Sequence, residues 1–135
     1  MLIKFVKVFL RLAIASAFLS AVADRFGLWK KDVAVWGNWQ SFVEYTGVIT
    51  PWVPSSLTPP LAIIATAAEV LLALALIVGF RTKLAAIGSG ILLLIFGLAM
   101  SFSIGVKAPL DYSVFTASAA AFALSTMKER YMEIS

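Results

Sequence analysis

The stretch Leu84-Ala85-Ala86-Ile87-Gly88-Ser89-Gly90-Ile91-Leu92-Leu93-Leu94-Ile95-Phe96-Gly97-Leu98-Ala99-Met100-Ser101-Phe102-Ser103-Ile104 contains no charged side chain and no polar stripe at helical period. A helix on the surface of a soluble bundle carries such a stripe. A membrane-spanning helix instead needs roughly 20 mostly apolar residues to cross a hydrocarbon core of about 30 Å. The stretch therefore reads as a span in lipid. Working outward, residues 61-80 form a second run broken only by Glu69, and residues 5-23 a third broken by Lys7 and Arg11. Residues 110-127 form a fourth, rich in alanine and serine, with Asp111 at its entrance. The expected fold is all-α, an integral membrane four-helix bundle forming one domain over 1-135. Composition points the same way, since 61% of the residues are hydrophobic and 13% charged, against a globular balance of about 45–50% and about 25%.

The first run also has the form of a secretory signal, with Lys4 and Lys7 ahead of an apolar stretch and Ala21-Val22-Ala23 as a cleavage pattern. Arg11 interrupts the apolar core, and removal would leave three helices of an even set. A retained helix is the expectation.

Basic residues in short loops set orientation. Lys4 and Lys7, Arg81 and Lys83, and Lys128 and Arg130 fall on one side of a four-helix serpentine, whereas Arg25, Lys30, Lys31 and Lys107 fall on the other. Both termini are thus expected on the cytoplasmic face of a bacterial inner membrane. The net charge of +4 then reflects topology and affinity for an anionic leaflet. No nucleic acid is implied, because no basic stripe interleaved with aromatics lies on a soluble face.

The long connection between the first two spans, about 24 to 60, has features of its own. Asn38 suits an N-cap and Gly47 a C-cap, so 39 to 46 reads as a short helix. Trp36, Trp39, Phe42 and Val43 would share a face, and with Trp52 they suggest an aromatic lid at the headgroup level, where indoles concentrate. An ordinary aromatic anchor explains the same residues. The prolines at 51, 54, 59 and 60 lead stiffly into the second span.

Helices in lipid associate through small residues. Ala13, Ala17 and Ala21, then Ala86 and Gly90, then Ser113, Ala117, Ala121 and Ser125 supply such seams. They suit the intramolecular bundle and leave a homo-oligomer open.

An ionisable side chain at membrane depth costs about 2.5–3.5 kcal/mol even on a lenient scale, so it needs a partner or a purpose. Glu69 lies near the middle of its span, flanked by Ala67, Ala68 and Ala73. Counted from the cytoplasmic end at 1.5 Å per residue, Arg11 lies about 9 Å deep and Glu69 about 16 Å. The reach of one arginine spans the difference, so an Arg11–Glu69 ion pair is expected. The alternatives are an arginine that snorkels to the headgroups and a glutamic acid that stays protonated. Glu69 and Arg11 are accordingly the candidates for ligand binding or proton relay. A second cluster is expected at the outer surface from Asp24, Arg25, Lys107 and Asp111, with Ser16 and Ser20 as a polar track leading inward.

These features carry a family resemblance. Arg11-Leu12-Ala13 in a helix ending at Asp24-Arg25-Phe26-Gly27 contributes, as does the centre Ala68-Glu69-Val70. So do Gly79-Phe80-Arg81-Thr82-Lys83-Leu84-Ala85-Ala86 and Lys107-Ala108-Pro109-Leu110-Asp111-Tyr112-Ser113. Over essentially its full length the chain resembles the DoxX family of small bacterial membrane proteins. The resemblance implies a four-helix bundle with the glutamate inward and an association with quinone-linked redox chemistry.

The chain has no cysteine and no histidine, so it offers neither thiolates for an iron–sulfur cluster or disulfide relay nor imidazole for haem. It has no phosphate-binding glycine loop, and its scattered carboxylates suggest no metal site. Three functions fit: an accessory or quinone-binding membrane subunit with a soluble or membrane redox partner; a binder or carrier of a small lipophilic molecule; and a membrane anchor for a soluble partner. Catalysis by this chain alone is not expected.

Overall fold

The computed structural model describes all of residues 1–135 and contains helices without strands. In chain order these are α1 (Leu2–Arg25), α2 (Trp39–Ile49), a 3-10 turn (Ser55–Leu57), α3 (Thr58–Val78), α4 (Thr82–Ile104), α5 (Lys107–Asp111) and α6 (Val114–Ser125). Three of them, Leu2–Arg25, Ser55–Val78 and Thr82–Ile104, are long and apolar enough to cross a membrane. Ile63, Ile64, Leu71, Ile91, Ile95 and Phe102 stand exposed on α3 and α4. An apolar belt of this kind suits lipid, not water.

The expected span 110-127 is not one helix. Ser113 adopts φ +56°, which separates the five residues of α5 from the twelve of α6. Twelve residues rise about 18 Å, well short of the hydrocarbon core. Helix α6 is nonetheless held closely by α4. The Ser118 hydroxyl donates to the Gly90 carbonyl at 2.7 Å, and the rings of Phe122 and Phe115 lie where a Cβ on Gly90 or Gly97 would stand. Backbones approach this closely only where one helix lacks side chains.

Alanines dominate the main core. Ile14, Ala15 and Phe18 of α1 meet Ala73 and Leu76 of α3, Ala85 and Ala86 of α4, and Ala121 and Leu124 of α6. The expected seam of Ala13 and Ala17 faces outward instead, as do Ser16 and Ser20, so α1 has no inward polar track there. Its buried face is the neighbouring stripe Lys7, Arg11, Ile14, Ala15, Phe18 and Val22, one that places the basic residues inside. Of the other seams, Ala86, Gly90 and Ala121 are buried.

Both chain ends lie at the same end of the bundle. Residues 129–135 lie across the α3–α4 turn, where the Ile134 and Ser135 amides donate to the Val78 and Gly79 carbonyls, each at 3.3 Å. Gly79 permits both the turn and the tail: its φ is +76°, and a Cβ there would lie 2.5 Å from Glu133 Cα. At the opposite end α2 packs on α3, α4 and α1. Asn38 caps it as expected, accepting from the Ser41 amide at 2.8 Å, but the helix continues past Gly47 to Ile49.

Candidate functional site

Two arginines of α1, Arg11 near its middle and Arg25 at its last residue, are each 2% exposed, and they find different partners. Arg11 does not meet Glu69. Its Nε donates to the Leu76 carbonyl at 2.8 Å and its Nη2 to the Ile77 carbonyl at 3.0 Å, while Nη1 and Nη2 reach the Tyr131 and Met132 carbonyls at 2.9 Å each. Leu76 and Ile77 lie in the last turn of α3, where carbonyls lack intrahelical partners and the helix dipole favours a cation. Arg11 thus stands level with a point about 10 Å along the axis beyond Glu69, at 1.5 Å for each of the roughly seven residues between. That offset is why the expected ion pair does not form. Next to it Lys7 pairs with Glu133 at 3.0 Å and donates to the Glu129 carbonyl at 2.5 Å.

The partner of Glu69 is Arg25. Its Nη1 donates to the Glu69 carboxylate and, at 2.8 Å, to the Thr66 hydroxyl. The guanidinium carbon lies 3.7 Å from the Phe42 ring centroid and 5.2 Å from that of Trp36, so the cation is stacked as well as paired. Arg25 is therefore part of the interior and not of an outer polar cluster. Asp24 takes a third role: its carboxylate accepts from the amides of Val35, Trp36 and Gly37 at 2.7–2.9 Å and so fixes the loop that brings Trp36 over Arg25. Lys107 and Asp111 bond only each other, at 2.7 Å on an exposed helical turn. The four outer residues thus do not cross-pair, because Asp24 and Arg25 are occupied elsewhere.

The aromatic group forms in part. Trp36 packs edge-on against Phe42 with centroids 4.9 Å apart, Trp39 meets Phe42 at 5.7 Å, and Phe26 stacks on Trp39 at 5.6 Å. Tyr45 joins at 5.7 Å from Trp36. Trp52 is 58% exposed and takes no part in these ring contacts. Phe26 and Tyr45 were not expected there. Tyr45 had a signal, since it lies three residues beyond Phe42 and so on the same face of a helix.

Two donors in this region have no acceptor. Arg25 Nε and Trp36 Nε1 are both buried and form no hydrogen bond, although buried polar groups are nearly always paired. Of the alanines flanking Glu69, Ala67 is exposed and Ala73 is buried in the main core. Ala68 instead lines an outward apolar groove of about 410 Å³ with Leu71, Leu72, Gly88, Ile91 and Leu92. No three carboxylates come close enough together to hold a metal ion. Neither a family model, nor a curated protein, nor a solved structure matches the chain.

Proposed function

We propose that the chain binds a small lipophilic molecule with a carbonyl-type acceptor, a quinone in the first instance, beside Arg25 and Trp36 beneath the aromatic helix α2. On this reading it is a DoxX-like accessory membrane subunit of an oxidoreductase. The observation that supports it is the pair of buried donors, Arg25 Nε and Trp36 Nε1, left without acceptors. A group buried in that state costs about 1–3 kcal/mol, and a ligand oxygen would relieve the cost. Glu69 then holds Arg25 in place, and the edge-to-face rings of Phe42 and Trp36 offer an apolar wall for a planar headgroup. The electron transfer would fall to a partner, since the chain has no cysteine or histidine.

The same reading places α5 and α6 together as the fourth crossing, with α2 in the outer interface. Both termini are cytoplasmic in a bacterial inner membrane. Six basic residues, Lys4, Lys7, Arg81, Lys83, Lys128 and Arg130, belong to the termini and the α3–α4 turn, as the positive-inside bias requires. A reporter active only in the cytoplasm should work when fused to the C-terminus, and activity from a periplasmic reporter instead reverses the topology.

The test of binding is titration of purified protein in mild detergent with a short-tailed ubiquinone analogue, read by tryptophan fluorescence. Quenching should saturate. Trp36→Phe keeps the ring and removes the donor, so affinity should fall about tenfold, the equivalent of one hydrogen bond of roughly 1.4 kcal/mol. Trp29→Phe should bind as the parent does. Absence of saturable quenching, or equal affinity for Trp36→Phe, rules out this site. The apolar groove along Ala68, Leu72 and Gly88 supports the second reading, a carrier of a lipid without such an acceptor. Native mass spectrometry would then find lipid retained equally by Trp36→Phe and the parent. An empty protein that captures a non-redox partner would indicate a membrane anchor.

A further inference from the structure

The end of the bundle that holds both chain ends contains a second site, independent of the one beneath α2. A recess of about 680 Å³ there is lined by Lys7, Arg81, Lys83, Lys128 and Arg130, with a single acidic side chain, Glu133. Lys7 already neutralises Glu133. The other four cations form no ion pair and are exposed. Their convergence is built into the backbone. Arg81 is held at φ +46°, with its amide bonded to the Ser135 hydroxyl at 3.0 Å, and the tail that carries Lys128 and Arg130 is tied down by the Arg11 bonds to Tyr131 and Met132. The wall also includes the start of α4, whose first turn contains no acidic residue and no side-chain cap. Four uncompensated cations beside a helix start that no side chain caps favour one kind of group, a multiply accepting oxyanion.

We infer that this recess binds a phosphate group. The group has two sources: the headgroup of an anionic phospholipid, which the position at the end of a membrane bundle favours, or a free phosphate ion. Leu84 and Met127 in the lining give a lipid glycerol an apolar edge to rest on.

The test is thermal unfolding of the full chain in detergent with added phosphatidylglycerol, phosphatidylcholine or inorganic phosphate, together with native mass spectrometry of retained lipid. Phosphatidylglycerol should raise the midpoint and remain bound, whereas phosphatidylcholine should do neither. The triple variant Lys83→Gln, Lys128→Gln, Arg130→Gln removes only exposed, unpaired charges, so it should fold normally and lose affinity about tenfold or more, given the contribution of each basic residue near an anionic lipid. Stabilisation by inorganic phosphate but not by phosphatidylglycerol assigns the site to a free ion. The inference is overturned if phosphatidylcholine acts as strongly as phosphatidylglycerol, if the triple variant keeps the full response, or if neither phosphate source has an effect.

Discussion

Arg11 and Arg25 belong to the same helix and are equally buried, yet one is satisfied by backbone and the other by a carboxylate. Arg11 uses four carbonyls and needs no counter-ion beside it, because the C-terminal turn of α3 supplies both acceptors and dipole. Arg25 lies against the body of α3, where the carbonyls are already used, and so requires Glu69 and Thr66. It keeps a donor to spare. The difference teaches that a helix terminus can satisfy a buried guanidinium fully, whereas a lone carboxylate and a hydroxyl under aromatic rings leave one of its donors unpaired.

The largest effect should come from breaking the Arg25 site. Arg25→Met or Glu69→Leu alone leaves an uncompensated buried charge and should cost about 3–5 kcal/mol, while the two together should be neutral or stabilising. Thermal unfolding in detergent reads both, and a double variant as unstable as either single one contradicts the pairing.

Arg11→Met should cost less, about 1–3 kcal/mol, because carbonyls at the end of the bundle can turn to water. Its characteristic sign is release of residues 129–135, visible as proteolytic nicking of the C-terminus. An uncut tail in that variant would mean that Arg11 does not hold it.

A smaller effect at the same end depends on pH. Burial pushes the Glu133 carboxyl up, but the Thr82 hydroxyl, the Tyr131 amide and Lys7, with the Lys7 charge, outweigh it and hold the group below the usual glutamate range. A lowered value means that the tail is stabilised above the unfolded-state pKa and that this stabilisation is lost as pH falls through the folded value. Nicking of the tail should therefore rise on acidification below the ordinary glutamate range and be pH-independent in Glu133→Gln. Protection that increases on acidification would reverse the sign.

The smallest effect belongs to Lys107→Ala, since its exposed pair with Asp111 should contribute under about 1 kcal/mol. A large loss of stability there would show that the α5 turn holds the outer end together.

The three long spans were legible in the sequence because a charge-free run such as 84 to 104 has only one stable environment. The break in the fourth was not, because nothing in Tyr112-Ser113 announces a left-handed residue. The buried identity of Glu69 was legible, but its partner was not. Depths were counted as if both spans began level, and by that count Arg25 lies about 14 Å from Glu69 and Arg11 about 7 Å, so the stagger of α1 along α3, which no residue pattern announces, exchanged the two arginines. The role of Asp24 was hidden for a different reason: backbone amides 11 to 13 residues away leave no side-chain pattern to read. The stripe Ala13, Ala17 and Ala21 misled because the neighbouring stripe through Lys7, Arg11, Ile14, Phe18 and Val22 is the one that packs, drawn inward by the bonds of its basic residues.

A pair of double-mutant cycles tests the central claim, that Glu69 answers to Arg25 and not to Arg11. With Arg25→Met, Arg11→Met and Glu69→Leu combined pairwise and stability followed by unfolding in detergent, Arg25 and Glu69 should couple by about 6 kcal/mol or more, since each single variant costs about 3–5 kcal/mol and the pair nothing, whereas Arg11 and Glu69 should be additive within roughly 0.5 kcal/mol. Strong coupling of Arg11 to Glu69 with additivity for Arg25 would contradict the account.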